Sequence, residues 1–141
     1  MFIGHYGAGL ALKKVDKSIS LGLLFLASQC VDILWVLLVL LGIEKVRIVP
    51  GITVANPLDL YYYPYSHSLV ASLLWAGAIY VTLRVIPGKI GTKQSRVALV
   101  LAVAVLSHFA LDLLTHRPDL PLFGDNSPKI GLGLWNYAML S

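Results

Sequence analysis

The chain has 141 residues, of which 57% are hydrophobic and only 13% charged. A soluble domain carries about 25% charged residues, so this composition leaves too little polar surface for one and points to a membrane protein. The net charge of +4 sits in short basic clusters between apolar runs, which reads as a topology signal and not as a nucleic-acid surface.

Residues 1–12 (MFIGHYGAGLAL) are apolar, glycine-rich and too short to span a bilayer; Lys13, Lys14 and Lys17 follow. Residues 18–43 are apolar except for Gln29 and Asp32, long enough for one span. Within that run lies Cys30, the single cysteine, so no disulfide or CxxC metal site forms within the chain. The neighbouring LASQC is not a lipoprotein signal, because the apolar run continues past it. A polar connection, 44–65, carries Pro50-Gly51, Asn56-Pro57 and the cluster YYYPY. Residues 67–86 form a second expected span and 97–115 a third, separated by the basic, turn-rich loop 87–96. A proline-rich loop, 116–130, precedes GLGLWNYAMLS, too short to cross. The whole reads as one membrane domain, 1–141, either with an interfacial C-terminal stretch or as a fragment of a longer protein.

The basic residues set the orientation. Lys13, Lys14 and Lys17, with Arg84, Lys89, Lys93 and Arg96, are expected on the cytoplasmic side. The 44–65 and 116–130 connections then face outward, with Tyr61, Tyr62, Tyr63 and Tyr65 in an interfacial aromatic belt.

The segment SHFALDLLTH puts His108, Asp112 and His116 on one helical stripe, four residues apart. Depth follows from the basic anchors at about 1.5 Å per helical residue. Asp32 rises about 22 Å above Lys17, and His67 about 26 Å above Arg84. His108, Asp112 and His116 rise about 18, 24 and 30 Å above Arg96. His5 lies about 12 Å from Lys13 if the N-terminal stretch dips into the membrane. Residues from separate helices thus meet near one level, toward the outer leaflet. Each carboxylate there costs roughly 2.5–3.5 kcal/mol on insertion scales. The spans supply no Lys or Arg to offset that, which leaves histidine, tyrosine, water or a metal ion as partner. Imidazole and carboxylate suit zinc and other divalent metals. Any one of these histidines fits a polar network or a proton path as well; the set Asp32, His67, His108 and Asp112 favours a metal. His108 and His116, about 12 Å apart along the axis, cannot share an ion, so Asp112 is central and His116 serves a second ion or a substrate. Gln29, three residues before Asp32, is placed to orient it, and Ser66 to cap the second span. There is no G-x-S-x-G elbow and no P-loop.

The stretches GHYGAG, QCVDILW, YPYSHSL and SHFALDLLTH resemble a family of membrane-bound metal-dependent hydrolases, also described as inner-membrane-associated and LexA-binding. Its order is His, Asp, Thr-His-Ser, then His-x-x-x-Asp; here Ser66-His67-Ser68 takes the third place. The chain departs where members carry a second acid and a histidine after the first aspartate: Ile33, Leu34 and Trp35 stand there. GLGLWN is similar to the start of a further membrane helix in longer relatives. The ligand order is also similar to that of zinc-dependent phospholipase C and P1-type nucleases. That likeness implies one ion on Asp32, His67, His108 and Asp112, and a second on His5, Asp112 and His116.

The expectation is therefore an all-α polytopic protein of a bacterial-type inner (plasma) membrane. It would have about three transmembrane helices and an N-terminal re-entrant or interfacial helix. It would bind a divalent metal, zinc first, and hydrolyse a phosphoester of a lipid or lipid-linked substrate, with membrane lipid and not nucleic acid as partner. Asp59 and Asp119 are candidate general bases between which the sequence does not choose. The alternatives are a proton-coupled transporter and a non-enzymatic membrane binding protein.

Overall fold

The computed structural model describes residues 3–85 and 92–137. It is mostly helical. Helix α1 (His5–Val15) turns back into α2 (Leu21–Leu40); a one-turn helix α3 (Pro64–His67) leads into α4 (Leu69–Val85), and α5 (Thr92–Thr115) follows. The 44–65 connection is not an irregular loop. It carries an antiparallel ribbon, β1 (Lys45–Ile48) with β2 (Leu58–Tyr62), and a smaller ribbon joins β3 (Leu120–Pro121) to β4 (Lys129–Ile130). The expectation of an all-α chain is corrected to that extent. The reason is local: KVRI and LDLYY are rich in the β-branched and aromatic residues that fit a pleated ribbon.

Local chemistry sets the helix ends. The Ser20 hydroxyl accepts from Leu23 N at 3.2 Å and caps α2. At its other end Gly42 adopts φ +72°, the Gly42 N–H bonds Val39 O, and the Ile43 N–H bonds Leu38 O. That pairing is the Schellman stop, which needs a residue tolerant of the left-handed region. Ser68, not Ser66, caps α4: its backbone is extended and its Oγ accepts from Ala71 N at 3.0 Å. This break detaches His67 from the expected 67–86 span.

Among the described residues two helices, α2 and α5, are long and apolar enough to cross a membrane. The 17-residue α4 is shorter, about 26 Å against a hydrocarbon core of about 30 Å. Helix α5 is the hub and packs on α1, α2 and α4. Leu24, Ala27 and Val31 of α2, Ala76 of α4, and Leu101, Ala104 and Val105 of α5 form the main core. The small residues let the helix axes approach closely. A second cluster, Leu60, Tyr63, Phe109 and Leu120, lies under the ribbons. The outward faces are apolar as well: Ile33, Val36, Leu37 and Leu40 on α2 and Leu73, Leu74 and Val81 on α4 are exposed.

Arg96 donates to Val15 O at 2.6 Å and pairs with Asp16, while Lys13 donates to Ile19 O at 2.5 Å. The α1–α2 turn and the start of α5 therefore share one end of the bundle. Lys89 and the loop residues 86–91 lie outside the described residues, as do 138–141 of the C-terminal stretch. Of that stretch, Leu134–Asn136 forms a 3₁₀ turn.

Candidate metal centre

Four separate elements bring the six candidate residues together. The buried stripe of α5 carries His108 and Asp112, and His116 follows directly after the helix. Because α1 folds back along α2, His5 reaches the same level and is fully buried. Asp32 projects from α2, past its midpoint, and His67 comes from α3.

Asp112 is the centre. Its Oδ2 lies 3.1 Å from His108 Nε2 and 3.6 Å from His67 Nε2. Its Oδ1 lies 3.2 Å from His5 Nε2 and 3.7 Å from His116 Nε2. Asp32 Oδ1 sits 3.4 Å from His67 Nε2 and 3.5 Å from His108 Nε2. The His5 and His108 rings stack with centroids 3.8 Å apart. Among the described residues two sets could hold an ion: His67, His108 and Asp112, and His5, Asp32 and His108. His116 belongs to neither set, but its Nε2 faces the same Asp112 oxygen as His5.

The remote nitrogens decide what the near ones offer. His108 Nδ1 lies 2.9 Å from the Ser28 carbonyl, which can only accept, so Nδ1 carries the proton. His116 Nδ1 lies 3.1 Å from Asp119 Oδ1 and donates to it. For His67 the chain is longer. Its Nδ1 lies 2.7 Å from Ser66 Oγ, and Ser66 Oγ lies 2.6 Å from Glu44 Oε2. The Ser66 hydroxyl gives its one proton to the carboxylate, so it accepts from His67 Nδ1–H. In their neutral forms, three imidazoles thus turn Nε2 lone pairs toward carboxylate oxygens. Lone pairs facing lone pairs repel, and His108 Nε2 is buried with no hydrogen-bond partner among the described residues. A cation between them turns the repulsion into coordination, with the outer acceptors holding each ring as in carboxylate–histidine–metal sites. Protonating the rings relieves it too, at the cost of buried imidazolium. The donor set fits a divalent metal ion.

Glu44 is the participant that sequence reasoning missed. It is 1% exposed, and its Oε1 accepts from Tyr65 N at 2.8 Å and Ser66 N at 2.9 Å. Those two bonds fix the start of α3 and therefore the direction of His67. Nothing in GIEKVRI marks this glutamate, because its partners lie 21 and 22 residues away.

Asp59 and Asp119 are not free bases. Arg47 Nε donates to Asp59 at 2.7 Å, and Arg117 bridges Asp59 and Asp119. Asp119 also accepts from Tyr63 OH at 2.9 Å and from His116. Burial opposes ionisation of Asp119, but the hydrogen bonds from His116, Arg117 and Tyr63 outweigh it and hold its carboxyl below the ordinary range. Burial, and then the Asp119 charge, push the Tyr63 phenol far up. Tyr63 is 1% exposed and so leaves the expected belt, whereas Tyr61 and Tyr65 stay exposed.

A cavity of about 290 Å³ opens onto the cluster; Asp32, His67, Asp112 and His116 line it beside Trp35 and Trp135. Asp32 is its exposed member, with 16% of the side chain open against 3% or less for the histidines and Asp112. The Trp135 ring lies 4.3 Å from that of His116. Its segment is held backbone to backbone: Gly133 N donates to His116 O at 2.6 Å, and a Cβ at Gly131 would come within 2.1 Å of Arg117 O. A larger groove, about 520 Å³, runs along α3 and α4 and holds none of the six residues.

Compared with known proteins, the chain matches no family model, no curated protein and no solved structure.

Proposed function

We propose that the protein is a multi-pass protein of a bacterial-type inner membrane and a metal-dependent hydrolase, of the kind its motifs resemble. It acts on a phosphoester of a lipid or lipid-linked substrate. Helices α2, α5 and α4 (continued by α3) cross the bilayer, and α1 is the re-entrant helix. The exposed apolar faces of α2 and α4 support this, as does the basic end where α1, α2 and α5 meet. The ribbons and the cavity face outward.

One observation carries the activity: Nε2 atoms of four histidines and the oxygens of two aspartates converge within 3.1–3.7 Å in a buried pocket. His67, His108 and Asp112 would hold one divalent ion, zinc first; His5, Asp32 and His108 are the other set of fitting geometry, and His116 would serve a second ion or a substrate. A bound ion supplies Lewis acidity toward water and toward a phosphoryl oxygen at neutral pH. The chain's own groups do the rest. Asp112 offers one oxygen to each pair of imidazoles. Ser28, Glu44 through Ser66, and Asp119 hold three Nδ1 protons and so fix the rings. Trp35, Trp135, Leu58 and Leu60 narrow the cavity around the substrate. With the ion on His67, His108 and Asp112, Asp32 is left off it and, as the cluster member most open to the cavity, would take a proton from water.

Metal content of the detergent-purified protein tests this, beside the double variant His108→Ala, Asp112→Asn. One or two equivalents of zinc or another divalent ion, lost in the variant, are expected, followed by turnover in a phospholipid screen. No metal after reconstitution at neutral pH would remove the hydrolase reading and favour a proton path.

A further inference from the structure

The cavity at the cluster has two unlike ends. Its inner wall is polar: Asp32, Asp112, His67 and His116. Trp35 lines the cavity too, and its ring stands nearly perpendicular to that of His67, with centroids 6.3 Å apart. The buried Trp35 Nε1–H has no hydrogen-bond partner among the described residues. A buried donor left unpaired is costly; an anionic oxygen that reached it from the cavity would satisfy it. The rest of the lining includes an apolar group: Val36 from α2, with Leu58 and Leu60 from β2.

Val36 belongs to two surfaces at once. It lines the cavity, and it is 44% exposed in the stripe Ile33, Val36, Leu37, Leu40 on the outside of α2. These positions recur at helical spacing and form one continuous apolar face. Val36 therefore joins the cavity lining to the face that would meet lipid. Its volume, about 290 Å³, sits at the low end of small-ligand pockets, about 300–1,000 Å³. It takes a headgroup-sized fragment and no more, so a long chain attached to that fragment must lie outside, along the stripe.

We propose that the gap between Val36 and Leu58 is a lateral portal for a phosphoester bearing a long hydrocarbon chain. The phosphoryl group enters the polar end, where Trp35 Nε1–H donates to one of its oxygens. The chain stays in the bilayer against Ile33, Val36, Leu37 and Leu40. The proposal rests on the membrane-embedded hydrolase reading and adds the route and the chain to it.

The test uses the metal-loaded protein in nanodiscs and two probes, methyl and dodecyl p-nitrophenyl phosphate. Water adds at phosphorus, p-nitrophenolate leaves, and the monoalkyl phosphate remains. Bilayer partition enriches the longer ester for any membrane protein, so the variants decide. Val36→Trp, and on β2 Leu58→Trp, are expected to cut the dodecyl-to-methyl ratio of kcat/KM at least tenfold with metal content retained. A ratio within twofold of the parent in both variants overturns the portal and, with turnover intact, leaves the hydrolase reading standing. Binding of dodecylphosphonate against methylphosphonate separates the converse case. Tight, chain-dependent binding weakened by Val36→Trp, with no turnover of either ester, sinks the hydrolase reading and keeps the portal. Neither binding nor turnover sinks both.

Discussion

Replacing Glu44 by glutamine changes no ligand, yet it should reset one. The carboxylate accepts three hydrogen bonds, from Tyr65 N, Ser66 N and Ser66 Oγ, at 2.8, 2.9 and 2.6 Å. Glutamine keeps one acceptor oxygen, which the two backbone N–H groups hold. Its NH₂ then faces Ser66 Oγ and donates where the carboxylate accepted. The Ser66 hydroxyl must turn its own proton toward His67 Nδ1, and His67 must move its proton to Nε2, the nitrogen that faces Asp32 and Asp112. A proton there blocks coordination. Loss of outer-shell partners typically costs about 10–100-fold in metal affinity, or about 1.4–2.8 kcal/mol at 1.4 kcal/mol per decade. The expected result for Glu44→Gln is an affinity lowered by that factor, read by chelator competition in detergent at pH 7. It is accompanied by a change of the His67 tautomer in long-range ¹H–¹⁵N spectra of the metal-free protein. A merely structural role for Glu44 would lower stability without moving the tautomer. An affinity within twofold of the parent, with His67 still protonated at Nδ1, refutes the chain from Glu44 through Ser66.

Other perturbations probe the remaining parts. Gly131→Ala forces a Cβ against Arg117 O and His116 O, 2.1 and 2.5 Å away; overpacking of this kind costs about 1–3 kcal/mol. Denaturant titration should show that loss, together with a change in Trp135 fluorescence as its ring leaves His116; an unchanged midpoint would mean that the 131–136 segment does not pack as described. Leu37→Arg places a charge on the exposed stripe of α2, where Leu37 is 52% exposed. A bilayer-facing site penalises this by up to roughly 2.5–3.5 kcal/mol, the helix-centre figure, and by less this near the end of α2, so glycosylation-mapped insertion should fall; unchanged insertion contradicts a lipid-facing stripe. Metal affinity should drop as pH falls from 8 to 5, because protons compete with the ion for Nε2 and the ordinary imidazole pKa is about 6.5. A flat profile in chelator competition would place the ion on groups other than these histidines.

Some of this was written into the chain locally. A helix repeats every 3.6 residues, so the spacing of His108, Asp112 and His116 by itself made a stripe, and an apolar run of α2's length by itself made a helix long enough to cross a membrane. Residue type alone named the six candidates, since carboxylates and imidazoles are costly in an apolar segment without a role. The sequence did not carry the pairings between distant elements. Ser68 is extended and separates His67 from α4, which depends on Glu44 pinning α3 from across the ribbon. His5 gains full burial because the α1–α2 turn folds it back beside His108, which no spacing within GHYGAG encodes. Asp59 and Asp119 look available in sequence and become occupied only when Arg117 and Arg47 come between them. The ribbons arose in the connections 44–65 and 116–130, where strand pairing needs a partner 8 to 17 residues away. Periodicity reports on neighbours within a few residues. Which lone pair meets which proton is decided by contacts that only the folded backbone brings within 3 Å.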